Sequence, residues 1–542
     1  MTRQISLEEL RARVAGQKIP LAVHSGNVTP GGVFVLLPPA LPPGQNAPDL
    51  AEHGAKFLLE ALDAKPSALV CAPSFLSLLE NQASSRPAAS SAACDLVLSE
   101  DTRKDLGILA RALHGSGGPK IAGVTGTNGK TTTTYMLERI FQAKGCKTGV
   151  IGTISRRWPG YEEEAALTTP GCLELHSLLA RMREAGVDHA FMEVSSHAID
   201  QQRIAGIDFF AALLTNITQD HLDYHPDMEH YFRTKAALFR TPEQGGLPLA
   251  NKARVINADD PYGQRLLNTL PEALGFGLCG QGGRAEDRTL CGRVLSMGRE
   301  GLRLSMRFAG QSWELSSPLT GTFNAMNLLG AQALGLALGL TPEDFAVLSD
   351  FAGAPGRLER VPNRAGLNIF VDYAHTPDAL SKALGALRAA GFARVVTVFG
   401  CGGNRDRGKR PLMGAAVAEL SDVAVLTSDN PRDEDPLDIM NDVLPGLAKC
   451  PRVISEPDRR AALALAVKLL NREDALLAAG KGHESYQLIR GVKHPFQDQA
   501  VLRELAQSFN PHPASAAGGP RRGGRAPGAG QIRKGISHAA ES

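Results

Sequence analysis

Residues 120–145 read KIAGVTGTNGKTTTTYMLERIFQAKG, and their order decides the fold. KIAGVTG (120–126) is a short apolar run of strand character. The chain then turns through Thr127-Asn128-Gly129, and Met136, Leu137, Ile140 and Phe141 recur at helical spacing, with Gly145 as the C-terminal stop. A strand, a Gly-rich turn ending in Gly129-Lys130-Thr131 and a helix make a phosphate-binding loop. Glycines let backbone N–H groups close around phosphate oxygens, and the helix N-terminus adds its dipole. The turn assigns Gly126, Thr127, Asn128, Gly129, Lys130, Thr131 and Thr132 to ATP, with Lys130 on the β/γ-phosphates and the Thr131 hydroxyl on Mg²⁺. The strict G-x-x-x-x-G-K-[ST] pattern is not met, because Val124 stands where its first Gly belongs.

Working outward, HAFMEVSS (189–196) and FFAALLTN (209–216) are apolar runs ending in polar loops, the pattern of buried parallel strands. Upstream, VFVLLPP (33–39) and ALVCAP (68–73) read as strands with a helix near 57–64 between them, and PPALPPGQNAP (38–48) as loop. Downstream, strands LNIFVDYAH (367–375), ARVVTVFG (393–400), VAVLTSDN (423–430), RVISEP (452–457) and DALLAAGKGH (474–483) alternate with helical stretches, as in a doubly wound sheet. The expected architecture is α/β in three domains. A small mixed α/β N-terminal domain covers 1–105. A central P-loop parallel-sheet ATPase domain covers 106–350, entered through a linker near 113–119. A C-terminal Rossmann-like doubly wound domain covers 351–510. The segment 511–542, with five basic residues against one acidic and almost no large apolar side chain, is expected to be a disordered basic tail.

Composition excludes several classes. The 542 residues carry a net charge of +2, and 5% are aromatic, so neither a nucleic-acid coat nor a base-stacking platform is expected. No run of about 18 apolar residues spans a membrane, and the N-terminus lacks a signal-peptide core. The eight cysteines form no C-x-x-C pair and, at this length and density, no disulfide framework. A cytoplasmic setting and a monomer are expected, with small-molecule partners, no nucleic acid and no membrane insertion. The only N-K, Asn251-Lys252, is not followed by the Asp of a guanine-reading N-K-x-D, and the strand at 189–193 ends in Met192-Glu193, not the acidic pair of motor ATPases.

The order and spacing of GVTGTNGKTTTT (123–134), LTTP (167–170), MEVSSHAIDQQR (192–203), TNITQDHLDYH (215–225), YFRTKAALF (231–239), GTFNAMNLLGA (321–331), PGRLE (355–359), DYAHTPDAL (372–380), GCGGNRDRGKRP (400–411), TSDNPRDEDP (427–436) and AGKGHESYQ (479–487) resemble the Mur ligase family over residues 20–505. The resemblance implies an ATP-dependent amide ligase of cytoplasmic peptidoglycan synthesis, with the N-terminal domain binding the UDP-sugar and the C-terminal domain the amino acid. ATP would phosphorylate the D-Glu side-chain carboxylate of UDP-N-acetylmuramoyl-L-alanyl-D-glutamate, and the amine of meso-diaminopimelate would displace the phosphate. L-lysine as the amino acid, or a folylpolyglutamate-synthase-like activity, are the alternatives. A nucleotide-binding module without catalysis would have lost Lys130, Glu193 or Lys235, and none is lost.

Residue by residue, the family pattern makes Lys130, Lys235, Glu193 and His221 catalytic. It makes Thr131, Glu193, His221 and a carbamoylated Lys235 the Mg²⁺ ligands. It places Asn327, Arg357, Asp372 and His375 around ATP, with Arg357 at the linker between the middle and last domains, where phosphate contact implies domain closure. It gives Ser25, Thr168, Thr169, Ser195, Gln201 and Arg203 to the UDP-muramoyl dipeptide. Arg405, Asp429, Asn430, Pro431, Arg432, Gly480 and Glu484 go to diaminopimelate, with the Arg432 fork on its second carboxylate and Glu484 on its distal ammonium. Two departures stand out: His24-Ser25-Gly26 replaces the usual Asp-Ser-Arg, and Asn404 replaces a common Asp.

Overall fold

In a computed structural model, residues 3–43, 50–85, 94–240, 253–279 and 288–509 are described. The tail at 511–542, most of the later half of the Pro-rich stretch at 38–48, and Asn251-Lys252 lie outside them. The strand Lys120–Thr125 sits inside an eleven-stranded sheet, parallel to His189–Glu193 on one side and to Phe209–Leu214 on the other. Thr148–Ile151 follows beyond His189–Glu193, and Ala253–Asn257, Leu274–Leu278 and Thr289–Gly298 follow beyond Phe209–Leu214, all parallel. The chain leaves its first strand toward one side and later crosses to the other. The turn after Thr125 therefore lies at the switch point, where an open α/β sheet leaves a crevice.

Apolar runs on both faces give this sheet two helical layers. Met136, Leu137, Ile140 and Phe141 of the helix Lys130–Ala143 pack with Leu328, Leu329 and Leu334 of Thr322–Ala337. On the opposite face lie Leu175, Leu178 and Met182 of Cys172–Glu184 and Tyr231 and Phe232 of Met228–Ala236. The sheet is longer than the apolar runs announce. Gly301–Phe308 and Gln311–Ser317 extend one edge antiparallel, and the hairpin Ser155–Trp158/Tyr161–Glu164 extends the other.

The N-terminal unit holds four parallel strands, Leu21–Ala22, Val33–Val35, Ala68–Cys71 and Asp95–Leu98. The helices Leu7–Gln17 and Thr102–His114 cover one face through Leu10, Val14, Leu106 and Leu109. A division at 105 therefore falls inside a helix that packs on the N-terminal sheet; the connection to the central sheet is 115–119. The C-terminal sheet orders its strands Glu359–Arg360, Asn368–Asp372, Ala475–Ala479, Val395–Phe399, Val423–Leu426 and Val453–Ser455, all parallel except the first. Its helices lie on both faces, as the alternation predicts. A hairpin, Tyr486–Ile489/Val492–Pro495, stands apart from this sheet.

Among the cysteines, Cys279 and Cys291 are bonded where Leu274–Leu278 and Thr289–Gly298 run side by side. This is one local bridge, not a framework, and the other six are free thiols. No helix among the described residues is long and apolar enough to cross a membrane.

Candidate functional site

The P-loop is tied to the loop after Phe209–Leu214. Thr127 N donates to Asn216 O at 2.8 Å, Asn128 N to Asn216 Oδ1 at 3.0 Å, and Thr218 N to Thr127 Oγ1 at 3.0 Å. Two glycines are required here. Gly126 has φ +145°, and a Cβ on it would lie 2.0 Å from Thr215 Oγ1; Gly129 has φ +86°, and a Cβ would lie 2.3 Å from Asn327 Oδ1. The second clash places Asn327 directly against the turn. Lys130 Nζ donates to the loop carbonyls of Gly126 (3.0 Å) and Thr127 (2.9 Å). Burial holds its ammonium below the ordinary lysine range, and the charge of Arg357 pushes the same way. Arg357 therefore lies near enough to the P-loop lysine for their charges to repel.

Glu193, at the end of its strand, is 1% exposed. Its Oε2 accepts from Thr131 Oγ1 and Thr153 Oγ1, both at 2.9 Å, and its Oε1 from Thr153 N at 2.9 Å. Thr153 was not legible as a functional residue; its one signal is a polar side chain just past the strand Thr148–Ile151. Lys235, 1% exposed on the helix Met228–Ala236, donates to Gly126 O at 3.0 Å and lies 4.7 Å from the Tyr231 ring centre. Burial drives its pKa well below 10.5, and Lys130 adds to the shift. His221 adopts a left-handed backbone (φ +54°), with its imidazole pushed below the usual range by burial, then by Lys130 and Lys235, against the opposing pull of Asp220. Among the described residues no three His, Cys, Asp or Glu side chains cluster as a ready-made metal cage. A threonine hydroxyl and one carboxylate beside a phosphate-binding loop instead match Mg²⁺, which keeps waters and takes substrate phosphate oxygens.

A second network continues from Glu193. Thr169 Oγ1 donates to Glu193 O at 2.8 Å and accepts from Ser195 N at 3.1 Å. Thr168 Oγ1 lies 3.1 Å from Thr153 Oγ1. Arg203 donates to Thr169 O at 3.2 Å and to Gln201 Oε1 at 3.0 and 2.6 Å. Gln201 and Arg203 line a cavity of about 310 Å³ together with His24, Leu37 and Arg103 of the N-terminal unit. Arg103, missed in the sequence, is fixed by Gln201 O at 2.9 Å and Pro38 O at 2.7 Å. Ser25 is not among the residues that line this cavity, though its neighbour His24 is; its hydroxyl donates to Glu60 Oε2 at 2.8 Å.

The third group stands at the C-terminal ends of the last sheet. Arg432 (φ +53°) exchanges backbone hydrogen bonds with the hairpin, its N to Leu488 O at 2.9 Å and Arg490 N to its O at 2.7 Å. Its Nη1 donates to Gly403 O at 2.7 Å, and its other guanidinium N–H groups have no partner among the described residues. Asn430 donates to Glu484 Oε2 at 2.8 Å and accepts from Leu488 N at 2.9 Å. Asp429 is buried beside Gly480, and desolvation raises its pKa against the opposing charges of Arg459 and Lys481. Pro431 O packs tightly on Gly403. Arg405 is exposed and makes no hydrogen bond or ion pair among the described residues. Asn404 donates to Asp433 Oδ2 at 3.1 Å and accepts from Asp433 N at 3.2 Å; an Asp there would keep the second bond and set a carboxylate against the first. Asp372 spends both carboxylate oxygens on backbone N–H groups, of Leu358 (2.6 Å) and Ala374 (2.7 Å). His375 is exposed beside Tyr373.

A P-loop with a buried carboxylate and lysine, joined through a linker arginine to a Rossmann-like domain with its own cluster of polar side chains at the strand ends, defines the ATP-dependent acid–amino-acid ligases. Residues 124–335 match the Mur ligase middle domain and 356–482 the Mur ligase glutamate ligase domain. The chain belongs to the Mur ligase family. It is 49% identical over 502 residues to the UDP-N-acetylmuramoyl-L-alanyl-D-glutamate–2,6-diaminopimelate ligase of Lawsonia intracellularis, covering 92% of this chain and 98% of that one. It is 42% identical to the ligase of the same name from Synechococcus elongatus, over 89% of this chain and 93% of that one. A solved diaminopimelate ligase of that name superposes with a TM-score of 0.62 at 30% identity, over 90% of this chain and 94% of that one. Mycobacterium tuberculosis folylpolyglutamate synthase shares the fold, with a TM-score of 0.55 at 19% identity over 81% of this chain and 99% of the other.

Proposed function

We propose that the chain joins meso-diaminopimelate to the D-Glu side-chain carboxylate of UDP-N-acetylmuramoyl-L-alanyl-D-glutamate with ATP as phosphoryl donor, working as a cytoplasmic monomer in peptidoglycan synthesis. The carboxylate oxygen attacks the γ-phosphorus, ADP leaves, and an acyl phosphate forms. The uncharged amine then attacks the acyl carbon, and inorganic phosphate departs as the amide forms. Most of the protein's work is positioning and neutralisation of phosphate charge. Lys130 and Arg357 supply fixed positive charge at the phosphates. The 310 Å³ cavity takes the uridine diphosphate end, and Thr168, Thr169, Ser195, Gln201 and Arg203 lead from it toward Glu193. Thr131, Glu193 and His221 would hold Mg²⁺, which supplies further neutralisation of the transferring phosphoryl group. The depressed pKa of Lys235 favours the neutral amine, the form that adds CO₂ and loses a proton to become an anionic carbamate.

The observation that carries the amino-acid choice is a guanidinium with free donors and a free carboxylate oxygen on two loops that Asn430 ties together. Arg432 keeps unpartnered N–H groups, and Glu484 keeps Oε1 without a partner among the described residues, on either side of Asn430. A side chain ending in both a carboxylate and an ammonium satisfies both; lysine satisfies one. The test is ADP release by the purified protein with the UDP-muramoyl dipeptide and, in turn, meso-diaminopimelate, L-lysine and L-glutamate. Turnover with diaminopimelate at least about a hundredfold above lysine is expected. Equal use of lysine would overturn the assignment of the amino acid.

A further inference from the structure

Lys481 lies within AGKGHESYQ yet has been assigned no role toward a ligand. Its side chain is 0% exposed. A buried ammonium is costly unless it is paired and hydrogen-bonded, and its partners are all residues of the amino-acid pocket. Nζ donates to Glu484 Oε2 at 3.1 Å and to Asn430 Oδ1 at 3.3 Å, and stands 3.7 Å from Asp429 Oδ1. That Asp429 oxygen is buried and has no hydrogen-bond partner.

Glu484 Oε2 therefore has two donors, Lys481 Nζ and Asn430 Nδ2. Its side chain is 18% exposed, so the carboxylate reaches the pocket surface through the oxygen that remains. A free carboxylate offers an ammonium two equivalent oxygens and can turn to present either. With Oε2 pinned from behind, only Oε1 is left, at one fixed place relative to the Arg432 fork. We infer that Lys481 is a positioning residue that sets stereochemical choice: by pinning Oε2 it makes the pocket read which of two positions the ligand's distal ammonium and carboxylate occupy. The meso isomer puts the ammonium on Oε1 when its carboxylate meets Arg432. The L,L isomer exchanges the two groups and meets a guanidinium with its ammonium.

This inference rests on the diaminopimelate reading, and the experiment separates the two. Wild-type enzyme is assayed with meso- and L,L-diaminopimelate and with lysine, then Lys481→Met with the same ligands. A charge-assisted hydrogen bond that holds one rotamer predicts that the meso-over-L,L ratio of kcat/KM falls about tenfold or more in Lys481→Met. The loss appears in KM for the meso isomer, while the ATP dissociation constant is unchanged. In a Glu484→Gln background the same substitution should change the ratio little, because the oxygen it orients is gone. An unchanged ratio in a variant that binds ATP normally, equal use of both isomers by wild type, or additive effects of the two substitutions would each overturn the inference. A wild type that prefers lysine would instead overturn the substrate reading. Should Lys481→Met lose ATP binding through misfolding, Lys481→Ala removes the same donor, and the same ratio decides.

Discussion

Replacing Arg432 by glycine should push selectivity and stability in opposite directions. The residue sits at φ +53°, a conformation that costs a non-glycine residue roughly 1–2 kcal/mol. Glycine removes that strain but loosens the unfolded chain, and the balance leaves the variant at least as stable as wild type. The backbone bonds to Leu488 and Arg490 survive, since they involve only Arg432 N and O. What disappears is the guanidinium, whose Nη1 is occupied by Gly403 O and whose remaining donors are available to a carboxylate. Two charge-assisted hydrogen bonds at about 1.5 kcal/mol each come to about 3 kcal/mol, or roughly a hundredfold in KM for diaminopimelate. KM for ATP should not move, because the P-loop belongs to another sheet. Steady-state ADP release gives both constants, and a thermal melt gives stability. A glycine variant with near-normal KM for diaminopimelate, or one whose melting temperature collapses along with its activity, would refute the reasoning.

Lys130→Ala should abolish ADP formation while leaving the melt intact; near-normal turnover would remove the lysine from phosphate chemistry. Lys235→Ala should be nearly inactive and partly rescued by short carboxylic acids that replace a carbamate's charge, which the same ADP assay reads. Because the pKa of Lys235 is lowered on folding, the unfolded state binds its proton more readily below about 10.5, so this residue's contribution to stability rises with pH toward that value. In CO₂-free buffer Lys235→Met should therefore raise the melting temperature more at pH 7 than at pH 10. Asp498→Asn should destabilise the protein by about 3–5 kcal/mol, since it strands Arg459, with which Asp498 makes a fully buried pair at 2.6–2.8 Å. Urea unfolding followed by far-UV circular dichroism measures that loss.

The parallel strands were legible because strands buried on both faces read as unbroken apolar runs, as in HAFME and FFAALL. The antiparallel extension was missed although Gly301–Phe308 buries alternate residues, Leu302, Leu304 and Met306; Arg303, Ser305 and Arg307 alternate with them, and an apolar run is not the signal for a half-solvated strand. The hairpin at 486–495 carries no periodic signal, because it is held by backbone bonds to the loop at 429–432 rather than by a core. In the site, the P-loop was readable because its glycines answer a local steric demand. Thr153 and Arg103 were not, because each acts through partners distant in sequence, Glu193 forty residues on and Gln201 ninety-eight residues on. Asp372 and His375 were readable only through the family pattern. Here one carboxylate is consumed by backbone amides and the imidazole rests on a neighbouring carbonyl.

The contacts of the hairpin impose an order of assembly. Asn430 and Arg432 take their positions from Leu488 and Arg490, which a ribosome delivers more than fifty residues later. The P-loop, by contrast, needs nothing beyond Asn327 for its immediate neighbours. During synthesis the nucleotide end of the site is complete while the loop that discriminates among amino acids still lacks the segment that shapes it. A ribosome-bound chain arrested near residue 480 should therefore retain a nucleotide analogue yet show no preference among amino acids.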